Sequence, residues 1–157
     1  MDQSLRQSIM NASAVGAVFG GDLAMRYHTR NNPDLPEQGL NVVIGYIPTD
    51  VLFPPQYLIK EISWHGHGLQ GVPFDVIRAE SILHEDINLV RAGHLLAIMV
   101  QEWVKADDPM GKTYFEHNIM RLSICVDDVE QYKAFNLMGN AGVATYRKIL
   151  KAAGLNV

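Results

Sequence analysis

The sequence contains one closely spaced pair of histidines, His65 and His67, with Gly66 between them. On an extended chain, residues two apart project from the same face, so the two imidazoles can converge on one metal ion. The glycine leaves room for that ion. A zinc site needs further ligands, and we select His84 as the third. The pair therefore predicts a site for zinc or a similar divalent metal.

A metal held by these histidines would support hydrolysis or hydration. The bound water would be the nucleophile, with its pKa lowered toward about 7. Glu85 or Asp86, next to His84, would be the general base, and Glu80 is a further carboxylate in the same stretch. His94 is an alternative third ligand, although on a straight helix it lies about 80° around from His84. More distant candidates are His28, Glu116 and His117.

The segment HGHG, beginning at His65, is similar to the HGHN segment of the pterin synthase family. The resemblance implies two zinc-binding histidines and a third upstream, for which His28 is the candidate. His84 in LHEDINL stands where that family has a histidine after an aspartate. The resemblance covers a few residues, and GLQGVPFD continues as a loop leading to a helix where the family has a long strand. The family's catalytic cysteine has no counterpart here, so the chain is not assigned to it.

Aromatic residues suggest a second kind of function. Trp103, Tyr114 and Phe115 can form a contact patch, because aromatic side chains are favoured at protein interfaces; core packing is the other interpretation. Charged residues make up 19% of the chain, against about 25% in ordinary domains. These observations favour a non-enzymatic, oligomerising assembly or adaptor protein, for example a virion or secretion-apparatus component. Its partners would be other protein subunits, and no cofactor is expected. The metal-dependent hydrolase or lyase is the alternative.

Composition excludes several classes of protein. The 157 residues carry a net charge of −4 with scattered basic residues, which argues against nucleic acid as a partner. No apolar stretch approaches about 20 residues, so no membrane span is expected. The single Cys125 and the lack of a secretory signal in MDQSLRQSIM favour the cytoplasm. We expect Cys125 to pack rather than react.

Two glycine-containing segments are candidate anion-binding sites. GAVFGG, at residues 16–21, lacks the spacing of a phosphate-binding loop. GNAG, at residues 139–142, precedes a helix carrying Arg147 and Lys148, but a tight helix joint explains it as well. Arg26 and Arg30 could orient an anionic substrate, but no spacing supports that role. The sequence therefore predicts no anion-binding site.

Hydrophobic periodicity predicts a single globular domain spanning residues 1–157. The predicted class is α+β, with a small mainly antiparallel sheet packed against a long central helix and followed by a C-terminal helical pair. Asp127, with Glu130 three residues on, resembles a capping box at a helix start. The predicted elements are one or two helices over 4–27, a loop over 28–39, strands over 41–47 and 57–64, a helix over 74–106 with a break near 85–88, a strand over 119–126, and helices over 127–138 and 141–153.

Overall fold

Helices alternate with short strands in the N-terminal two thirds of the chain, and helices alone follow. The computed structural model describes residues 1–48, 62–66, 68–69 and 72–155. The mixture confirms the α+β class. The helices are α1 (Gln3–Ala14), α2 (Gly21–Thr29), α3 (Phe74–Ala79), α4 (Ala92–Lys105), α5 (Pro109–Cys125) and α6 (Asp128–Ala152). The strands are β1 (Val18–Phe19), β2 (Val43–Ile47), β3 (Ile62–Gly66), β4 (Gly68–Leu69), β5 (Val72–Pro73), β6 (Ile82–His84) and β7 (Ile87–Leu89).

The larger sheet has the strand order β3-β2-β1-β7-β6. Strand β1 pairs antiparallel with β2 and parallel with β7. Strand β2 pairs parallel with β3, and β6 pairs antiparallel with β7. The sheet is therefore mixed, which corrects the expectation of a mainly antiparallel one. Parallel neighbours need a long crossover rather than a tight turn, and such connections leave little trace in local sequence patterns.

The N-terminal helical region is divided by β1. Gly16 has φ 104°, a conformation that favours glycine, and it separates α1 from the strand. Val18 and Phe19 are both fully buried in the middle of the sheet. The first turn of α2 is also committed internally, because Gly20 N donates to Ile44 O and Asp22 N to Val42 O. These amides are therefore already used within the fold.

Asp22 fixes the loop that follows α2. Its side chain is only 1% exposed. The carboxylate accepts hydrogen bonds from Asn41 N and Val42 N, both at 2.8 Å, and from Gln38 Nε2 at 3.0 Å. Tyr114 Oη donates a further bond to it at 2.8 Å. A buried carboxylate needs such partners, so this single residue joins α2, the loop and α5.

The helix predicted over 74–106 is wrong in its middle. Strands β6 and β7 form a hairpin there, and the two turn residues, Glu85 and Asp86, have φ values of 50° and 63°. Two consecutive positive φ values are typical of a two-residue type I′ turn. Ile87 and Leu89 are buried on either side of half-buried Asn88, a period of two that the longer helical pattern obscured.

The strand predicted over 119–126 is also wrong, since most of this segment lies in α5. Ile119 and Leu122, three residues apart, are both fully buried, as one face of a helix requires. Ile124, which a strand would have buried beside Leu122, is 53% exposed. Asp108 caps the start of α5 with its side chain, and the proline that follows suits the first helical turn.

Helix α6 begins and ends as the sequence predicts. Asp127 Oδ1 accepts a hydrogen bond from Glu130 N at 2.8 Å. Gly139, in the GNAG segment, has φ 68° and ψ 179° and separates two helical halves. Gly154, with φ 83°, follows the C-terminus. Each of these signals acts within a few residues of the chain, which is why the sequence reveals it.

Helix α4 occupies the centre of the molecule, and every residue from 92 to 100 is buried. It packs against α5 and α6. The two helices approach each other closely at Gly93, where an added Cβ would lie 2.3 Å from Glu130 O. Within the described ranges, none of the helices combines the length and apolarity needed to cross a membrane.

Candidate functional site

The structure does not bring His65 and His84 together. His65 lies on β3 and His84 on β6, the two outer strands of the sheet. Four strand spacings of about 4.8 Å separate these edges by about 19 Å. His67 lies outside the described residues. In the part of the chain that is described, no three His, Cys, Asp or Glu side chains are arranged to hold a metal ion.

His65 lines a small cavity between the sheet and helices α4 and α5. Its ring centroid lies 5.8 Å from that of Tyr46, and its Nε2 is 3.3 Å from Ser63 Oγ. Burial raises the pKa of the Tyr46 hydroxyl, and the nearby Glu102 carboxylate raises it further. The cavity measures about 30 Å³, enough for one water molecule.

The two candidate bases lie at the tip of the β6–β7 hairpin. Both Glu85 and Asp86 are exposed. Glu85 Oε2 is 3.1 Å from Arg6 Nη2, which makes a surface ion pair. His84 lies beside them, with its ring centroid 4.7 Å from that of Tyr27. The structure thus brings His84, Glu85 and Asp86 together as a turn, facing α1 and α2 rather than His65.

Two of the other histidines are internal. His28 Nε2 lies 2.7 Å from Val90 O, to which it donates a hydrogen bond. His94 is 2% exposed, and its Nε2 is 3.5 Å from Glu80 Oε2. Burial lowers the pKa of both imidazoles, although Val90 O acts in the opposite direction on His28 and Glu80 on His94. Both rings therefore contribute to packing of the folded protein.

The three aromatic residues considered for an interface have partners within the chain. Trp103 Nε1 donates to Glu116 Oε1 at 2.9 Å, and Lys112 Nζ lies 4.0 Å from the centre of the indole ring. Tyr114 is bonded to Asp22, as described above. Phe115 packs against the core, with its ring 5.1 Å from that of Tyr114. Each is half-buried, and an interface role for them remains a prediction.

A cluster of charged groups surrounds the N-terminus of α4, and we call it the α4 ion network. Arg91 Nε donates to both carboxylate oxygens of Glu130, at 3.1 and 3.0 Å, and Arg91 Nη1 to Glu80 Oε1 at 3.1 Å. Gly93 N donates to Glu130 Oε1 at 2.9 Å. Lys133 pairs with Glu80. Two cations and two carboxylates thus satisfy one another, with His94 behind them, so the network is a structural feature.

Both halves of helix α6, which the non-helical Gly139 separates, carry exposed residues, and we call this set of residues the exposed α6 face. Its apolar residues Val129 and Tyr132 are 59% and 68% exposed. Acidic residues lie at its start and basic residues near its end, on either side of Gly139. The residues of the face, all of them exposed, are Asp127, Asp128, Val129, Tyr132, Asn136, Ala141, Ala144, Arg147, Lys148 and Lys151.

Sequence reasoning missed this face because it concentrated on Trp103 and the pair Tyr114 and Phe115. Val129 and Tyr132, three residues apart on a helix, were the available signal.

Comparisons with protein-family models, with curated proteins and with solved structures found no match to this chain.

Proposed function

We propose that this protein is a non-enzymatic building block that self-associates through the exposed α6 face. The observation that carries the proposal is the exposure of Val129 and Tyr132 in the first half of α6, whose two halves carry exposed charges of opposite sign. Large apolar side chains grouped on a surface are typical of interaction sites, and tyrosine is enriched among the residues that dominate binding energy.

The distribution of charge favours a second copy as the partner. The first half of α6 carries exposed Asp127 and Asp128, whereas the second half carries exposed Arg147, Lys148 and Lys151. A two-fold axis near Gly139 would place the acidic half of one copy against the basic half of the other. At 1.5 Å per residue the halves are about 16 and 20 Å long, so they match in length. Such a surface is complementary to itself, as a two-fold interface requires.

Side-chain size supports the same arrangement. Ala141 and Ala144 lie exposed in the basic half, about two turns and one turn before Arg147 and Lys148. Small residues let a partner helix approach closely, and the partner's Tyr132 would pack over them. In this arrangement the aromatic ring supplies most of the binding energy and the charges fix the register.

The experiment is a measurement of mass in solution by light scattering coupled to size exclusion, at micromolar protein concentrations. We expect a dimer or higher oligomer for the wild type and a monomer for Tyr132→Asp. Met110→Asp is the matched control, because Met110 is 83% exposed but lies on a different helix, α5. A strictly monomeric wild type would overturn the proposal, as would loss of association in the control alone.

Charge reversal tests the orientation. One variant carries Asp128→Lys, which leaves the Asp127 cap of α6 intact, and the other carries Arg147→Glu and Lys148→Glu. In each variant alone, the reversed charges would face charges of the same sign in the partner copy, so the variant would remain monomeric. An equimolar mixture of the two variants would restore opposite charges and associate. Association of either variant alone, with no gain on mixing, would contradict the antiparallel arrangement.

The metal-dependent hydrolase or lyase remains a prediction that no contact among the described residues favours. Elemental analysis of the purified protein tests it directly. A stoichiometric amount of zinc or a similar metal, lost in the His65→Ala, His67→Ala double variant and kept in His117→Ala, would support it. The exposed His117 is the matched control.

A further inference from the structure

A groove of about 330 Å³ lies between α1, α2 and the β6–β7 hairpin. This volume is within the range of small-molecule sites, about 300 to 1,000 Å³. Leu23, Leu40, Ile87 and Leu89 line it with apolar surface, and Tyr27 adds an aromatic ring. Its charged and polar side chains are those of Arg6, Arg26, Arg30, His84 and Glu85.

The groove concentrates positive charge in a chain that is negative overall. Three guanidinium groups, of Arg6, Arg26 and Arg30, line it together with a single carboxylate, that of Glu85. The whole chain carries a formal net charge of −4. The spacing of these residues along the sequence gave no signal, because Arg6 comes from α1 whereas Arg26 and Arg30 come from the last turn and the C-cap of α2.

The arginine side chains are available to a ligand. Arg6 pairs with Glu85 at 3.1 Å and Arg26 with Glu37 at 2.6 Å, but all four side chains are more than 40% exposed. Exposed ion pairs are worth only about 0–1 kcal/mol, so an incoming anion can replace either carboxylate.

Arg30 is held differently. Its guanidinium carbon lies 3.7 Å from the centre of the Tyr27 ring, and His84 contacts the same ring at 4.7 Å between centroids. Among the described residues, no carboxylate forms an ion pair with Arg30. Arg30 Nη1 also donates a hydrogen bond to Tyr27 O. Stacking and this bond orient the planar group while leaving its remaining N–H donors for another partner.

We propose that this groove binds a small amphipathic anion, with a carboxylate or phosphate head at the arginines and an apolar tail along the leucine and isoleucine side chains. The guanidinium fork matches both head groups, since each offers two oxygens at the right spacing. The apolar lining gives the tail a surface to bury, which separates this ligand class from a simple inorganic anion.

Calorimetric titration with octanoate and octyl phosphate tests the proposal, with acetate and 1-octanol as the head alone and the tail alone. We expect both amphiphiles to bind. Octanol should bind at least about tenfold more weakly, because it lacks the charged head and one charged hydrogen bond is worth about 1.5–3 kcal/mol. Acetate should bind at least about tenfold more weakly because it lacks the tail and buries little apolar surface. The stronger of the two amphiphiles identifies the head group.

The Arg26→Gln, Arg30→Gln double variant should weaken octanoate binding about tenfold or more and leave octanol binding unchanged. Arg147→Gln with Lys148→Gln is the matched control, because it removes the same charge from the exposed α6 face. The control should bind octanoate as the wild type does. It also separates this proposal from self-association, with which the groove shares no residue.

Three results would overturn the proposal. They are an absence of octanoate and octyl phosphate binding, acetate binding as tight as octanoate binding, and equal losses in the groove variant and the control. Circular dichroism checks that the groove variant is folded, which its exposed positions lead us to expect. Arg30→Lys, which keeps the charge but not the fork, should retain part of the affinity.

Discussion

The α4 ion network and the groove lined by Arg6, Arg26 and Arg30 contain similar charged groups but differ in exposure and in charge balance. In the network, Arg91 lies between Glu80 and Glu130, and the side chains of Arg91 and Glu130 are 23% and 14% exposed. In the groove, Arg6 and Arg26 are 42% and 43% exposed and outnumber the carboxylate that lines it. Balanced charge in a half-buried place stabilises a fold, whereas unbalanced charge at the surface is free to bind something else.

The largest expected effect is at Gly93, where α4 approaches α6 closely. In Gly93→Ala the new Cβ would meet Glu130 O at 2.3 Å, a backbone atom that cannot turn aside. We expect the free energy of unfolding to fall by about 3 kcal/mol or more. Denaturant unfolding measures it. Gly39→Ala is the control, because its Cβ would lie 3.5 Å from Asn41 Nδ2, an ordinary contact.

Glu130→Gln compares the two regions directly. It replaces the charged partner of Arg91 by a neutral amide of similar size. We expect the free energy of unfolding to fall by about 2 kcal/mol. Glu85→Gln removes the corresponding carboxylate of the groove and should cost less than about 1 kcal/mol. Equal losses, measured by the same denaturant unfolding, would remove the distinction between the two regions.

Buried histidines should make stability depend on pH. His28 and His94 have pKa values below the ordinary 6.5 because burial disfavours the charged ring. Below pH 6.5 the unfolded chain therefore binds protons that the folded protein does not, and stability falls as the pH drops further toward the folded-state pKa values. Above that pH the contribution is fully present. Thermal unfolding measured between about pH 7.5 and about pH 5 tests this dependence.

The control for this pH dependence is His117→Asn, which removes a histidine from an exposed site. His94→Asn should reduce the dependence of stability on pH below pH 6.5. The pKa of Glu80 is lowered by its hydrogen bond from Lys133, so the stabilisation it gives is lost only in more acidic solution, as the pH falls below 4.5. An unchanged slope in His94→Asn would show that this ring is not a source of the effect.

The smallest expected effect on stability is that of Arg26→Gln with Arg30→Gln. Both side chains extend from the end of α2 into the groove, and surface substitutions usually change stability by less than about 0.5 kcal/mol. The same variant should lose octanoate affinity. A large drop in its melting temperature would place these arginines with the α4 ion network as structural residues.

Local signals in the sequence predicted local structure. The cap at Asp127 and the helix joint at GNAG each depend on neighbouring residues, and both are confirmed. The prediction of a strand over 119–126 is wrong because Met120, Leu122 and Ile124 alternate as in a strand, although Leu122 also completes a helical face. Propensity alone could not decide between these patterns, and packing against α4 did.

The candidate site was less accessible to sequence reasoning. Arg91 and Glu130 are 39 residues apart, and Asp22 meets Tyr114 across 92 residues. No spacing rule connects such partners, because the fold alone brings them together. Likewise, the groove takes Arg6 from one helix and its other arginines from the next, so their proximity follows from the packing of α1 on β7.

Strand β1 has a consequence for the order in which the protein folds during synthesis. Its two residues lie in the middle of the sheet, with Phe19 opposite Gly45 on one side and Leu89 on the other. The ribosome must therefore complete more than half of the chain before the sheet can close, whereas α4, α5 and α6 meet as successive neighbours. Closing distant contacts is slow, so nascent chains ending before β7 would expose this strand to chaperones and proteases.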